Sequence, residues 1–419
     1  MKPFSFIHAA DLHIGSPFKG VSADSPDVAG RLRKSTLRAF EALTKACTSH
    51  EVDFLLVAGD VYDGADRSLG AQLEFHSGLK RLADGGIRSF VVHGNHDPLD
   101  GRVSSLEWPQ EVHVFGKTAE TVTVEVDGDA VATVSGISFP KKDVRSNLSK
   151  KLEPGPSDLY RIGLLHCNVG SDTGHEPYAP CELADLKSSG MDYWALGHIH
   201  TRQTLSEDPL VVYPGNIQGR SIREQDARGC YLVRVDAQGK AELEFLPLDA
   251  VRWRQISVSI DDLDTLDALD RRLGETLEAL PAAAAGRDVV CRVRIEGRGA
   301  LYKDLRAEGA DDDLLARVRE SLASSDPLVW VQRIELDCRP EVDLEQRAQQ
   351  GDLLAEVLTV AKEHGASPEG LDRIETGALD TLWQNNRARK ALAGLDRDQI
   401  REILAGAELL CLDLLEDDE

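Results

Sequence analysis

Five short apolar runs in this chain each stop at residues able to bind a metal or move a proton. Phe4 to Ala9 leads into Asp11-Leu12-His13, and Phe54 to Ala58 leads into Gly59-Asp60 and then Asp63. Ser89 to Val92 releases His93-Gly94-Asn95-His96-Asp97-Pro98, Arg161 to Leu165 ends at His166, and Tyr193 to Leu196 ends at Gly197-His198-Ile199-His200. Taken singly, each is an ordinary strand end rich in turn-forming residues. Ligands of open α/β sheets bind beyond the carboxyl ends of the strands, so five such ends converge on one site if the strands are neighbours. The set offers imidazoles and hard oxygens but no thiolate, which suits Mn²⁺, Fe²⁺ or Zn²⁺ and disfavours a structural zinc. Two ions sharing a carboxylate, about 3.5–4 Å apart, could activate water and clamp the oxygens of an in-line displacement. The reaction class would be phosphoester hydrolysis.

The elements that must position these residues follow from the pattern of apolar spacing. Ser89 to Val92 reads as a buried strand, Gly94 permits a tight exit and Pro98 stops a helix from starting early. Leu32, Leu37, Phe40, Leu43 and Ala46 recur at helical spacing before the strand at Val52. Leu69, Leu73, Leu79 and Leu82 mark a second helix that ends at Gly85-Gly86, so parallel crossovers are expected. From Thr121 the period becomes two, with Val122, Val124 and Val126 before Asp127-Gly128 and then Val131 and Val134, the signature of a hairpin with a primed turn. Val211 to Tyr213, Cys230 to Val235 and Ala241 to Leu246 read as further antiparallel strands and imply a second sheet. The expectation is an α/β protein with a four-layer α/β/β/α sandwich over 1–250.

Beyond it, Trp253 to Ile260, Val289 to Ile295 and Leu328 to Leu336 alternate as strands, with helices over Leu263 to Leu280 and Leu314 to Leu322. A small α+β capping domain is therefore expected over 251–340. The remainder, 341–419, reads as a helical tail: Leu344 to His364, Leu371 to Leu392, and Asp396 to Leu415 with Gln399 in capping-box position. As one helix, Leu344 to His364 would span about 32 Å at 1.5 Å per residue. Its apolar stripe of Leu344, Ala348, Leu354, Val357, Leu358 and Ala361 needs burial, either within a small bundle or against a partner.

The net charge of −24 over 419 residues, with a pI near 4.9, excludes a protein that coats nucleic acid or anionic membrane with its whole surface. Any polyanion must be met locally. The densest basic stretch is Lys141, Lys142, Arg145, Lys150 and Lys151, a loop that is either solvated or set against phosphate backbone. Seven scattered cysteines without a C-x-x-C pair fit reduced thiols and a cytoplasmic location. The N-terminus lacks a signal-peptide core and no apolar run approaches a membrane span. Arg220 and Arg223 could approach a substrate phosphate or pair with Glu224 and Asp226. Trp253 and Trp330 read as core, His8 and His93 as core or supporting histidines, and His175 as a loop residue or a substrate contact.

In order along the chain, Asp11-x-His13, Gly59-Asp60-x-x-Asp63, Gly94-Asn95-His96-Asp97, His166 and Gly197-His198-x-His200 resemble the motifs of the calcineurin-like metallophosphoesterases. Matched position by position, the resemblance implies that Asp11, His13, Asp60 and His200 hold one metal and that Asp60, Asn95, His166 and His198 hold the other. It gives His96 the catalytic task of contacting the phosphate and helping the leaving oxygen depart, which an imidazole with a pKa of about 6.5 suits. More narrowly, His8-Ala9-Ala10-Asp11-Leu12-His13, His175 through Tyr178-Ala179-Pro180-Cys181, and Tyr213-Pro214-Gly215-Asn216-Ile217-Gln218-Gly219-Arg220 resemble the bacterial YhaO proteins. These are DNA repair exonucleases related to SbcD, the nuclease component of SbcCD.

The resemblance implies two divalent metal ions, with Mn²⁺ the first choice. It further implies a DNA substrate, an SbcC-type coiled-coil ATPase docked on the C-terminal helices, and the option of a homodimer. Archaeal and eukaryotic members carry a histidine three residues after the bridging aspartate, where this chain has Asp63. A carboxylate beside His96 could orient the imidazole and stabilise its protonated form, which makes Asp63 the second catalytic candidate. The expected function is a metal-dependent DNA nuclease. A phosphomonoesterase or small-molecule phosphodiesterase is the alternative within the same fold, and a non-catalytic metal-bearing scaffold the alternative from another class.

Overall fold

The computed structural model describes residues 1–16, 18, 26–64, 68–100, 106–170, 176–377 and 396–416. The chain first alternates between strand and helix: β1 (Phe4–Ala9), α1 (Pro26–Arg33), α2 (Ser35–Ser49), β2 (Phe54–Ala58), α3 (Leu69–Asp84), β3 (Arg88–Val92) and β4 (Val112–Val114). The Ser68 hydroxyl opens α3 by accepting the Ala71 N–H at 3.1 Å. There follow β5 (Glu120–Val126), β6 (Asp129–Gly136), β7 (Tyr160–His166), α4 (Leu183–Lys187), β8 (Tyr193–Gly197), β9 (Gln203–Glu207), β10 (Leu210–Tyr213), β11 (Gly229–Val235) and β12 (Ala241–Pro247). Asp127 (φ 47°) and Gly128 (φ 82°) turn β5 into β6, both left-handed as a primed turn requires.

Two six-stranded sheets result, ordered β12-β11-β1-β2-β3-β4 and β5-β6-β7-β8-β10-β9. Phe6, Phe54 and Phe90 from the first face Val134, Ile162, Leu164 and Tyr193 from the second in one fully buried cluster. Phe6 and Phe54 stack with centroids 5.0 Å apart. The outer face of the first sheet, through Ile7, Val57 and Val91, packs on Phe40, Leu43, Phe75 and Leu79 of α2 and α3. The outer face of the second is covered more thinly. There Trp194, Leu196 and Val211 meet Leu186 of the five-residue α4 and the loop residues Val144 and Leu148. The four-layer α/β sandwich is thus present, with its last layer largely loop.

The strands that follow His200 depart from expectation. β11 runs antiparallel to β1 and carries β12 with it, so both belong to the first sheet. β10 runs parallel to β8, because the half-exposed strand β9 makes the reversal first and pairs antiparallel with β10 at the sheet's edge. Without β9, alternation alone predicts an antiparallel neighbour.

The chain divides into two compact units, Met1–Gly297 with Asp304–Cys338, and Arg298–Lys303 with Arg339–Glu419. The first therefore also takes in nearly all of the sheet β13 (Val251–Ser259), β14 (Asp288–Arg298) and β15 (Val329–Arg339), in that order, with α5 (Leu266–Glu278), α6 (Leu280–Ala283) and α8 (Ala310–Ser321), while α7 (Tyr302–Leu305) is divided between the units. Trp253 is fully buried with Val28, Leu32 and Val290, and the buried Asp288 accepts two hydrogen bonds of 2.7 Å from Arg31. Trp330, half-buried under the Arg319 guanidinium, is part of the same cluster.

The second unit corrects one helix. The expected helix from Leu344 to His364 is broken into α9 (Leu344–Arg347) and α10 (Leu353–Ala366). Gly351, at φ 75°, cannot continue a right-handed helix, and Asp352 begins a new one by accepting the Ala355 N–H at 2.8 Å. α11 (Pro368–Gly377) follows; the remainder of the helix expected to Leu392 lies outside the described residues. In α12 (Arg397–Glu416) the capping box is present, with Asp396 accepting from the Gln399 N–H and the Gln399 side chain accepting from the Asp396 N–H, both at 2.9 Å. Leu354, Leu358 and Leu412 bury one another with Leu344 and Ala348, so part of the apolar stripe is satisfied within the unit. Among the described residues no helix is long and apolar enough to cross a membrane.

Candidate metal centre

The carboxyl ends of β1, β2 and β3 in one sheet and of β7 and β8 in the other meet in a single pocket. The loop after β1 is zipped to the loop after β2 by backbone bonds from Asp11 to Gly59 (3.1 Å), His13 to Asp60 (3.0 Å) and Ile14 to Val61 (2.8 Å). The two sheets touch here as well. A Cβ on Gly197 would lie 1.8 Å from the Ala58 carbonyl oxygen, and one on Gly94 would lie 2.3 Å from an Asp60 carboxylate oxygen. Glycine at these two motif positions is what lets the sheets and the carboxylate close together. Asp11, His13, Asp60 and His198 all hold positive φ angles, of 51°, 43°, 49° and 102°. Side-chain-bearing residues adopt such angles only where the surroundings over-determine them, a strain that clusters at functional sites.

Two groups of acceptor atoms share Asp60. In the first, His13 Nε2 and His200 Nε2 lie 3.2 Å apart, with Asp60 Oδ2 4.0 Å from the former and Asp11 Oδ1 4.0 Å from the latter. In the second, His166 Nε2 lies 3.0 Å from Asn95 Oδ1 and 3.5 Å from Asp60 Oδ2. Asp11, Asp60, His13 and His166 are almost wholly buried. The outward nitrogens of three of these rings are fixed: His13 Nδ1 donates to Asp63 (2.8 Å), His200 Nδ1 to Glu224 (2.6 Å) and His166 Nδ1 to the Ala58 carbonyl (2.9 Å). A ring that donates from Nδ1 presents a lone pair at Nε2, the arrangement found at metal-ligating histidines.

The donor set fits divalent ions on electrostatic grounds too. Burial, and then the Asp60 charge, push the Asp11 carboxyl well above its ordinary range. Burial would do the same to Asp60, but His166, His13 and His96 together hold it down at about 2. Burial and then the Arg220 charge lower His13 to about 4, which keeps its ring neutral. Buried acceptors facing one another across about 3 Å, with two carboxylates among them, are costly until a cation satisfies them.

His198 is placed differently from the rest. Its backbone N–H lies 3.1 Å from both Asp11 carboxylate oxygens, its ring centroid lies 5.2 Å from that of His166, and its Nε2 donates to the Glu176 carbonyl at 2.9 Å. It falls outside the three groups whose candidate ligand atoms lie within 4.8 Å of one another, namely Asp11 with His13 and His200, Asp11 with Asp60 and His166, and His13 with Asp63 and His96.

The third of those groups is a hydrogen-bond hub. Asp63 accepts from His13 Nδ1, from His96 Nδ1 at 2.9 Å, from the Ser16 hydroxyl at 2.5 Å and from Arg220 Nη1 at 2.7 Å. Burial would raise its carboxyl, yet the bonds from His13 and His96 hold it far below the carboxylate range. In return Asp63 raises the His96 imidazole above its ordinary value. The His96 side chain is 44% exposed, whereas His13 behind it is 1% exposed, so His96 is the ring that reaches the open side.

Glu224, Arg220 and Asp97 support the centre, and the carboxylate that Arg220 pairs with is Asp63 rather than the expected Glu224. Glu224 fixes His200, and its carboxylate also accepts the Arg220 N–H at 2.6 Å; burial would raise it, but His200 holds it well below its usual range. Arg220 is 8% exposed and pairs through its guanidinium with Asp63, while Asp226 pairs with Arg254. Asp97 accepts from the Val61 N–H, the Gly94 N–H and His93 Nδ1, which locks the loop after β3. No residue spacing marks these three roles, because Glu224 meets His200 and Arg220 meets Asp63 only in the folded chain. His8 is a core residue as expected, fully buried and bonded to Tyr193 and the Leu196 carbonyl. His175 lies outside the described residues.

Comparison with known proteins agrees with this architecture. Residues 4–202 match the family described as calcineurin-like phosphoesterase, and residues 253–339 match the middle domain of metallophosphoesterase YhaO. The chain is 36% identical over 409 residues to the uncharacterized metallophosphoesterase YhaO of Bacillus subtilis, covering 97% of this chain and 96% of that one. It is 25% identical over 290 residues to the SbcD component of the nuclease SbcCD of Bacillus subtilis, covering 60% of this chain and 69% of the relative. Against the DNA double-strand break repair protein Mre11 of Thermoplasma acidophilum it is 26% identical over 275 residues, covering 61% and 68%.

Proposed function

This chain belongs to the YhaO-type calcineurin-like metallophosphoesterases, and from that premise we propose that it is a two-metal DNA phosphodiesterase, a nuclease of DNA repair. The observation that carries the reading is the Asp60 carboxylate, set between the His13–His200 pair and the Asn95–His166 pair with the Asp63–His96 contact alongside. Asp11, His13, Asp60 and His200 would hold one ion and Asp60, Asn95, His166 and His198 the second. Bound there, two divalent ions would supply Lewis-acid polarisation of a phosphoryl oxygen and a water nucleophile at neutral pH. The nitrogen and oxygen donors without thiolate are compatible with Mn²⁺, as with Fe²⁺ or Zn²⁺.

The chain's own residues do the rest. Asp63 favours the protonated form of the His96 imidazole and turns it toward the open side, where it can donate its proton to the departing oxygen. Glu224 and the Ala58 carbonyl keep His200 and His166 in the tautomers that face inward. The DNA substrate is supported by the relatives named for double-strand break repair and for the SbcCD nuclease. On the same footing the regions 1–250, 251–340 and 341–419 would serve as nuclease, cap and docking helices for a coiled-coil ATPase in the cytoplasm, with a homodimer as the assembly to test.

The test uses the full chain with millimolar MnCl₂ and compares a labelled DNA duplex with bis(4-nitrophenyl) phosphate and 4-nitrophenyl phosphate. Release of nucleotides or cut strands, abolished by chelation, is the expected result. Hydrolysis of the monoester alone would replace the nuclease reading with a phosphomonoesterase, and no cleavage of any of the three would leave a metal-bearing scaffold.

A further inference from the structure

The basic stretch singled out in the sequence folds into a cradle rather than a free loop. A cavity of about 350 Å³ is lined by Lys117, Lys141, Arg145 and Lys151, with Asp143 the one acidic member among the described residues, in a chain of net charge −24. Its floor is apolar and fixed: Ile137, Val144 and Leu148 are buried in the cluster on the outer face of the second sheet. Its walls are bonded in place. The Ala179 N–H donates to the Val144 carbonyl at 2.7 Å, Ser149 donates through N–H and hydroxyl to Asn147, and Asn147 donates to Asp185. Lys150 is taken up by Asp185 at 3.0 Å and Arg145 by Asp143 at 2.5 Å, whereas Lys117, Lys141 and Lys151 have no ion pair among the described residues.

The cradle adjoins the metal pocket through one aromatic ring. The Arg145 guanidinium lies 5.1 Å from the centre of Tyr178, and Tyr178 lies 5.9 Å from the ring of His198. Arg145 also approaches Glu176 at 3.8 Å, the residue whose carbonyl receives His198 Nε2. A ligand with charge in the cradle and a reacting group over the metal pocket must therefore carry phosphates in succession, which a polynucleotide strand does and an isolated phosphate ester does not.

Resting on the nuclease reading above, we propose that this cradle is a second phosphate subsite, holding a backbone phosphate of the strand whose neighbouring linkage is presented at the metal pocket. The three exposed lysines carry the attraction and Arg145, ordered over Tyr178, sets the register. This is how an acidic protein meets a polyanion locally.

The test is the full-length triple variant Lys117→Gln/Lys141→Gln/Lys151→Gln, all exposed positions, assayed with fluorescein-labelled single-stranded DNA across a salt series. The dissociation constant should rise at least tenfold at low salt. The slope of log affinity against log salt should fall by about 0.7 for each phosphate contact removed. The ratio of kcat/KM for the oligonucleotide to that for bis(4-nitrophenyl) phosphate should fall at least tenfold, through KM. A variant that keeps the wild-type affinity, slope and ratio, in a protein that does cleave DNA, overturns the subsite and leaves the nuclease reading standing. A wild type that hydrolyses the small diester yet neither binds nor cuts the oligonucleotide overturns both. Loss of inhibition by inorganic phosphate or a mononucleotide, with oligonucleotide binding unchanged, assigns the cradle to a free anion and also overturns the proposal.

Discussion

The metal pocket and the C-terminal helical unit are built on opposite terms. The pocket buries acids and imidazoles almost completely, holds four of them at positive φ, and bonds each outward nitrogen to a named oxygen. None of this favours stability by itself, since buried charge and left-handed backbone both cost free energy. Among the described residues the helical unit buries Leu354, Leu358, Leu371, Ile400 and Leu412 and leaves Leu353, Val360, Ile403, Leu410, Leu414 and Leu415 exposed. One region places polar groups where water is excluded and the other places apolar groups where water is present. The first gathers acceptor atoms that divalent cations would satisfy, and the second leaves apolar side chains that a packed surface would cover.

The largest expected effect tests the shared carboxylate. Asp60→Asn removes the atom common to both acceptor groups, and diesterase activity should fall on the order of a thousandfold or more, the several kcal/mol that a Lewis-acid centre supplies. His96→Ala should lower kcat by about 10²–10⁴ while bound metal is retained, because His96 faces the open side and is no ligand in this account. Loss of metal together with activity would move His96 into the ligand set. Glu224→Gln should weaken metal affinity by about 10–100-fold, measured by titration of the metal-free protein, with the melting temperature little changed.

The pH profile sharpens the role of Asp63. Because its hydrogen bond raises the His96 pKa above the ordinary value, the protonated acid persists below that raised pKa and is lost as pH rises through it. Asp63→Asn removes the cause, so the alkaline limb of kcat should move to lower pH; a limb that stays in place would assign it to another group. The smallest effects fall in the helical unit. Leu358→Ala should cost about 2–5 kcal/mol in that unit's stability, whereas Leu410→Glu or Leu414→Glu should change it by about 0.5 kcal/mol or less, followed by denaturant melts. A large loss from the exposed positions would mean that they already serve a packed surface.

Much of the sandwich was legible because period-two and period-3.6 spacing mark its strands and helices directly, and because the hairpin at Asp127-Gly128 names its own turn. Sheet membership was not, since β11 joins β1 through pairing between residues more than two hundred apart, such as Phe4 with Val235. β9 is silent in the sequence because its half-exposed Gln203-Thr204-Leu205-Ser206-Glu207 has no apolar face to announce it. Apolar spacing ran through Gly351, so one helix was expected where a left-handed glycine makes two. At the site, the residue types and strand-end positions of Asp11, His13, Asp60, Asp63, Asn95, His96, His166 and His200 were readable from motif order. The supporting roles of Glu224, Arg220 and Asp97 were not, since a group that orients another side chain carries no spacing signal until the fold brings the two together.

The central claim is a centre for two cations organised by Asp60. Calorimetric titration of the metal-free full-length protein with Mn²⁺ should give two ions per chain, and Asp60→Asn should lose both sites in the same experiment. A wild-type protein binding no ion or one, or an Asp60→Asn variant with the wild-type stoichiometry, would contradict it.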